Sequence, residues 1–160
     1  KMEVLKHLKI DFTRYEHPPL HSVEDIEKHG VNLPGLDTKN LFLVDKKTGR
    51  FVLVTMQGSA RMRISDLKKT LGLKKLSLAS TEQLLQVLGV PAGTVSILCL
   101  LEKKPDLLLV IDEAFKSAAQ IGFHPPGDNT QTLVFDKVEF AKILDVVDLN
   151  FKTRYMNFSP

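Results

Sequence analysis

Residues 40 to 56 read NLFLVDKKTGRFVLVTM, two apolar runs on either side of one short polar turn. No other stretch restricts the fold as much. Each run is short, bounded by polar residues and rich in β-branched or large aliphatic side chains, which is the pattern of a strand. Gly49 supplies the left-handed backbone position that a tight reversal needs, so the two strands are expected to form an antiparallel hairpin.

Helical and extended patterns alternate around that hairpin. Met2, Leu5 and Leu8 fall at helical spacing, and FTRYEHPPL reads as a strand halted by Pro18 and Pro19. Ser22 with Asp25 has the spacing of a capping box whose helix closes at Gly30. Ser65 is expected to cap a helix ending at Gly72, and Ser80 with Gln83 to open one ending at Gly89. GTVSILCLLEKKPDLLLVI reads as a second hairpin, followed by a short helix from Glu113 to Ala118 and the loop GFHPPGDN. QTLVF is a strand, Asp136 caps the last helix, and DLNFKTRYMNF supplies a terminal strand or tail. Hairpins interrupted by helices predict a mixed, mostly antiparallel α+β domain, not a doubly wound parallel sheet.

At 160 residues, with no repeat or linker, one domain over residues 1–160 is expected. A chain of that size buries roughly two thirds of its unfolded surface. Its single cysteine excludes an internal disulfide, and Cys99, inside SILCLL, reads as a small buried side chain. No apolar run is long enough for a membrane-spanning helix, and no signal-peptide pattern opens the chain, so no membrane role and a cytoplasmic location are expected. The opening KMEV suits a fragment of a longer protein equally well. A net charge of +3 suits a nucleic-acid partner only mildly, because the basic residues come as separated pairs, such as Lys46 with Lys47 and Lys74 with Lys75.

Familiar catalytic signatures are missing. There is no dinucleotide or P-loop glycine pattern and no nucleophile elbow, and the histidines and lone cysteine do not fall at metal-ligand spacings. No cofactor and no metal are expected. Three other stretches carry more specification than a scaffold needs. Lys39 and Asn40 stand at the mouth of a buried strand, where a lysine alone would also serve as an edge guard. GVPAGTVS lets backbone amides converge ahead of an apolar run, an arrangement suited to a developing oxyanion as well as to an ordinary loop. In IGFHPPGDNTQT, His124 is set between Phe123 and two prolines, either as part of a rigid loop or as a pocket wall.

Taken together, EHPPLHSVEDIE, GLDTKNLFLVDKKTGRFVLV, the DLKKTLG to GTVS segment, LLLVIDEAF and GFHPPGDNTQT resemble the prolyl-tRNA editing domain family, also called the YbaK or synthetase-associated domain. Within it the likeness is greatest to free-standing deacylases of alanyl-tRNA(Pro), and it spans roughly residues 10 to 144. The resemblance implies a barrel-like mixed sheet flanked by helices. It also implies hydrolysis of the ester joining a wrong amino acid to the 3′ end of tRNA. Lys39, Gly93 and Ser96 would carry catalysis, with Lys39 near the terminal adenosine and the amides from Gly93 to Ser96 facing the ester carbonyl. Asn40, Thr94, Val95, Gly122, His124 and Asn129 would bind substrate. The implied partners are mischarged tRNA and a prolyl-tRNA synthetase or multi-synthetase complex.

Three departures from the family pattern keep alternatives open, one being the C-terminal DVVDLNFKTRY in place of the family's usual ending. Ile97 stands where the family's glycine loop continues with a proline, and the segment from His124 to Asn129 is one residue longer than usual. Cysteinyl-tRNA(Pro) deacylation and a catalytically silent tRNA-binding or assembly module are the alternatives.

Overall fold

The computed structural model describes residues 2–19, 28, 30, 33–102 and 104–158. In chain order its elements begin with α1 (Glu3–His7), β1 (Thr13–Glu16), β2 (Thr38–Asp45), β3 (Phe51–Gln57), α2 (Ile64–Leu71), β4 (Leu76–Leu78) and α3 (Thr81–Leu88). A 3-10 turn (Ile97–Leu101), β5 (Leu107–Asp112), a second 3-10 turn (Glu113–Lys116), β6 (Gln120–Phe123), β7 (Gln131–Asp136), α4 (Lys137–Asn150) and β8 (Lys152–Met156) follow. The capping box expected at Ser22 and Asp25 lies outside the described residues.

The hairpin of β2 and β3 forms as read, with Val44 opposite Phe51, Asn40 opposite Thr55, and Gly49 at φ 76°. It is the centre of a five-stranded sheet in the order β4-β2-β3-β5-β8, while β1-β7-β6 make a second, three-stranded sheet. Leu53 faces the core between the sheets, and Val52 and Val54 face a second cluster backed by Leu67 of α2; all three strand residues are fully buried. Burial on both faces explains why the central strands read as unbroken apolar runs instead of alternating.

Four pairings are antiparallel (β1 with β7, β6 with β7, β2 with β3, β2 with β4), and β3–β5 and β5–β8 are parallel. A mixed, mostly antiparallel α+β domain is therefore observed. The barrel does not close. The two sheets meet through one parallel bridge, Leu36 to Ile121, where Leu36 N donates to Gln120 O and Gly122 N to Leu36 O at 2.9 and 3.1 Å. Gly35 sits at φ 90°, and a Cβ there would lie 2.8 Å from the Gln120 carbonyl carbon, so the sheets approach at a point only glycine permits.

The second expected hairpin is absent. Ile97 to Leu101 wind into the 3-10 turn with every side chain buried, and β5 pairs instead with β3. A short apolar run buried on all sides has no period that separates strand from helix. The terminal stretch resolves as β8, added parallel to β5. Ser65 is not a cap: Arg63 holds that position and makes no side-chain cap bond, although Gly72 ends α2 in the left-handed conformation as expected. Asp136 does occupy the N-cap position of α4, but its Oδ1 accepts from Gln120 Nε2 instead of a helix amide. Ser80 and Gln83 form the full capping box, with bonds of 3.0 and 2.9 Å, and α3 ends at left-handed Gly89. Cys99, the single cysteine, is buried as expected. No described helix is long and apolar enough to cross a membrane.

Candidate functional site

Strand register brings the three nominated stretches to one end of the molecule. Thr38, at the start of β2, donates its Oγ1 to Gly122 O at 2.7 Å, tying that strand to the end of β6. Gly127 N, in the loop after His124, reaches Thr94 O at 3.5 Å. The strand mouth, the glycine loop and the histidine loop are thus neighbours, although more than 80 residues separate Thr38 from Gly122.

His124 follows a strand end that aromatic packing holds rigid. Phe123 stacks on Phe140 of α4 at 5.5 Å and meets Phe115 edge-on at 5.8 Å, and Pro125 on the other side is buried. Such ring pairs contribute about 0.5–1.5 kcal/mol each beyond their area. His124 Nδ1 is buried with no hydrogen-bond partner among the described residues. Burial pushes its imidazole below the ordinary histidine range, and nearby His17 adds to that effect. The result is a neutral ring with an open nitrogen.

Asn40 Oδ1 is likewise buried and unpartnered among the described residues. Its neighbour Lys39 turns the other way. Alternation along β2 puts Asn40 on the face used by Thr38 and Phe42, while Lys39 lies across from Met56 and donates its amine to Ala60 O. The structure therefore brings Asn40 to the face turned towards β6 and holds the Lys39 amine on the opposite face.

In the glycine loop, Gly93 is exposed at φ 82°, and Thr94 and Val95 are buried. Thr94 Oγ1 donates to Pro91 O at 2.7 Å. The backbone N–H groups of Val95 and Ser96 have no backbone partner among the described residues. Two such groups in buried residues suit a developing oxyanion. Ser96 itself is fully buried, and its hydroxyl accepts from Leu98 N at 3.1 Å as the N-cap of the 3-10 turn. Its side chain serves the fold, leaving the amide as its contribution to chemistry. Gly122 is buried against Thr132, and Asn129 is half-buried in the loop that Asp128 organises by accepting from Thr130 N at 2.9 Å. Among the described residues no cluster of three His, Cys, Asp or Glu side chains could hold a metal.

Three residues join the site that the sequence did not nominate. Thr55, opposite Asn40, buries an Oγ1 with no partner among the described residues. His17 bonds Pro18 O through Nδ1 at 2.8 Å and Thr132 Oγ1 through Nε2 at 2.7 Å. A carbonyl only accepts, so Nδ1 is the donor to Pro18 O, and Nε2 shares a hydrogen bond with the Thr132 hydroxyl. Thr38 supplies the tie described above. The hairpin turn would have located Thr55, because fixing the reversal fixes every cross-strand pair.

The fold is one already seen in solved structures. A solved structure described as a candidate trans-editing enzyme for prolyl tRNA synthetase superposes with a TM-score of 0.70 at 16% identity, covering 99% of this chain and 93% of that one. The chain belongs to the aminoacyl-tRNA editing domain family, whose sequence model matches residues 17–143. It is 30% identical over 149 residues to the prolyl-tRNA editing protein ProX of Acetoanaerobium sticklandii, covering 92% of this chain and 90% of that one. It is also 33% identical over 145 residues to prolyl-tRNA synthetase associated domain-containing protein 1 of Danio rerio, covering 89% and 78%.

Proposed function

We propose that this chain removes alanine from mischarged tRNA(Pro), acting in the cytoplasm either free-standing or attached to a prolyl-tRNA synthetase or its complex. The broader statement, that it is an aminoacyl-tRNA deacylase, rests on family membership across residues 17–143. The observation that carries the narrower reading is the pair of ties, Thr38 to Gly122 and Thr94 to Gly127, which group an amide-bearing loop, a buried asparagine oxygen and a neutral imidazole.

That group fits the chemistry of an aminoacyl ester. The ester is already activated, so its hydrolysis needs a positioned water and stabilised carbonyl charge more than a strong protein nucleophile. The Val95 and Ser96 amides would receive the developing oxyanion. Asn40 Oδ1 offers an acceptor for the substrate's ammonium, and Thr55 Oγ1 lies across the strand from it. The rigidly held His124 would bound the side-chain chamber and reject the larger proline ring by overlap, a stronger basis for discrimination than a missing methylene. Lys39 would leave the Ala60 carbonyl for the terminal nucleotide.

One feature favours a catalytically silent tRNA-binding module: the loop runs directly into a buried 3-10 turn at Ile97. A panel of alanyl-, cysteinyl- and prolyl-tRNA(Pro) with micromolar protein separates the readings. Selective loss of the alanyl ester supports the proposal, and selective loss of the cysteinyl ester moves the substrate. Release of none above the spontaneous rate removes the enzymatic reading.

A further inference from the structure

The basic pairs that lie apart in the sequence are gathered by the sheet. The end of β2 adjoins the starts of β3 and β4, β5 begins alongside β3, and β8 begins alongside β5. Lys46, Lys47, Arg50, Lys75, Lys104 and Lys152 flank those strand ends, and all are exposed. Two hydrogen bonds lock the turn to the β4 lead: Lys46 N donates to Lys75 O at 3.0 Å and Lys75 N to Asp45 Oδ1 at 2.8 Å. Asp45 is fully buried and also accepts from Thr48 Oγ1, so its carboxylate is committed to the turn.

Between the starts of β3, β5 and β8 lies a hollow of about 350 Å³, lined by Arg50, Lys104, Pro105, Asp106, Phe151 and Lys152 among others. Among the described residues the sole ion pair is Lys142 with Glu139. Arg50, Lys104 and Lys152 therefore surround the hollow with no carboxylate of the described residues within 4 Å, Asp106 included. Cations focused on one concavity attract an anion from solution.

We propose that this hollow and the lysine edge beside it bind the phosphodiester backbone of the tRNA acceptor arm, an inference that rests on the deacylase reading above. Two distances favour an extended polyanion over a single phosphate. Five strands at about 4.8 Å spacing spread the cations along roughly 19 Å, more than one phosphate can engage. From Phe51, which follows Arg50 of the hollow, to Thr55, opposite Asn40, β3 covers roughly 13 Å at about 3.3 Å per residue. At about 3.4 Å per phosphate along a stacked strand, the nucleotide at the hollow stands roughly four positions or more from the ester. That is past the short unpaired 3′ tail and into the stem.

The test is the triple variant Arg50→Gln/Lys104→Gln/Lys152→Gln, checked for folding by its thermal transition. With full-length alanyl-tRNA(Pro) at low salt, KM rises at least tenfold while kcat holds. The slope of log Kd against log salt for uncharged tRNA becomes shallower by about 2 to 3, the loss of three phosphate contacts. An alanylated trinucleotide, too short to reach the hollow, is hydrolysed as by the wild type. Unchanged KM and slope would overturn the proposal, as would an equal loss on the trinucleotide, which would place the defect in the site. If the wild type hydrolyses neither substrate, the deacylase reading fails, and the salt slope of tRNA binding still decides the role of the hollow.

Discussion

Gly122 offers the sharpest test of how the site is assembled. It is buried in β6, across from Val134, and a Cβ built on it would sit 2.9 Å from Thr132 Cγ2. At that separation something must move. Thr132 cannot rotate freely, because its Oγ1 is bonded to His17 Nε2 at 2.7 Å. Gly122 cannot slide easily, because its carbonyl accepts from Thr38 and its N–H donates to Leu36. Gly122→Ala therefore forces an overpacked contact costing about 1–3 kcal/mol. It also breaks or stretches one hydrogen bond worth about 0.5–1.5 kcal/mol. Urea unfolding should show a loss of roughly 2–4 kcal/mol. Thr132→Ser removes the offending methyl and keeps the hydroxyl, so the same glycine substitution made in that background should recover at least about 1 kcal/mol in a double-mutant cycle. Additivity of the two substitutions within about 0.5 kcal/mol would show that the Thr132 methyl is not what Gly122 avoids, and the reasoning would fail.

Other expectations concern single groups. Ser96→Ala removes the cap of the 3-10 turn and should cost about 0.5–2 kcal/mol in denaturant unfolding while leaving kcat near wild type well below the melting temperature. Lys39→Ala gives up one hydrogen bond to a carbonyl, a stability cost of about 1.5–3 kcal/mol at most, yet deacylation should fall more than tenfold if its amine engages substrate. Activity equal to wild type would leave Lys39 as a brace for the Ala60 loop. His124 has its pKa depressed by burial below 6.5, so the unfolded chain takes up a proton first as pH falls. The stability tied to its neutral ring is complete above 6.5 and is lost as pH drops towards the folded value. Melting temperature should fall between pH 7.5 and 5.5, and His124→Asn should flatten that decline; an equal slope in both proteins would contradict the assignment.

Local signals carried the parts of the fold that were legible in the sequence. The hairpin needed only its glycine and its two apolar runs, and the α3 capping box only Ser80 and Gln83, because each is complete within about a turn of chain. The reading failed where a long-range partner decides. Ile97 to Leu101 could have paired with Leu107 to Asp112, but β3 was the better-placed neighbour for β5 and left the first run to coil. Ser65 met the same fate on a smaller scale, since the extended Arg63 already supplied the carbonyl that starts α2.

The site was legible mainly through resemblance, for a physical reason. Lys39 and Asn40 are adjacent in sequence and diverge in space, whereas Thr38 and Gly122 are distant in sequence and hydrogen-bonded. No spacing rule encodes either fact; register does. The same register explains why the lysine pairs read as dispersed. Asp45 lies beside Leu76, and Phe51 beside Leu107, so pairs some 30 or 50 residues apart share one edge. β2 and β3 then carry the buried, unpartnered oxygens of Asn40 and Thr55 towards one end and the cationic edge at the other. Thr55 stands four residues along β3 from Phe51, and substitutions more than about 7–10 Å apart without shared partners act additively. The hollow should govern KM, Asn40 and His124 should govern kcat, and combining one substitution of each kind should multiply the two effects without coupling.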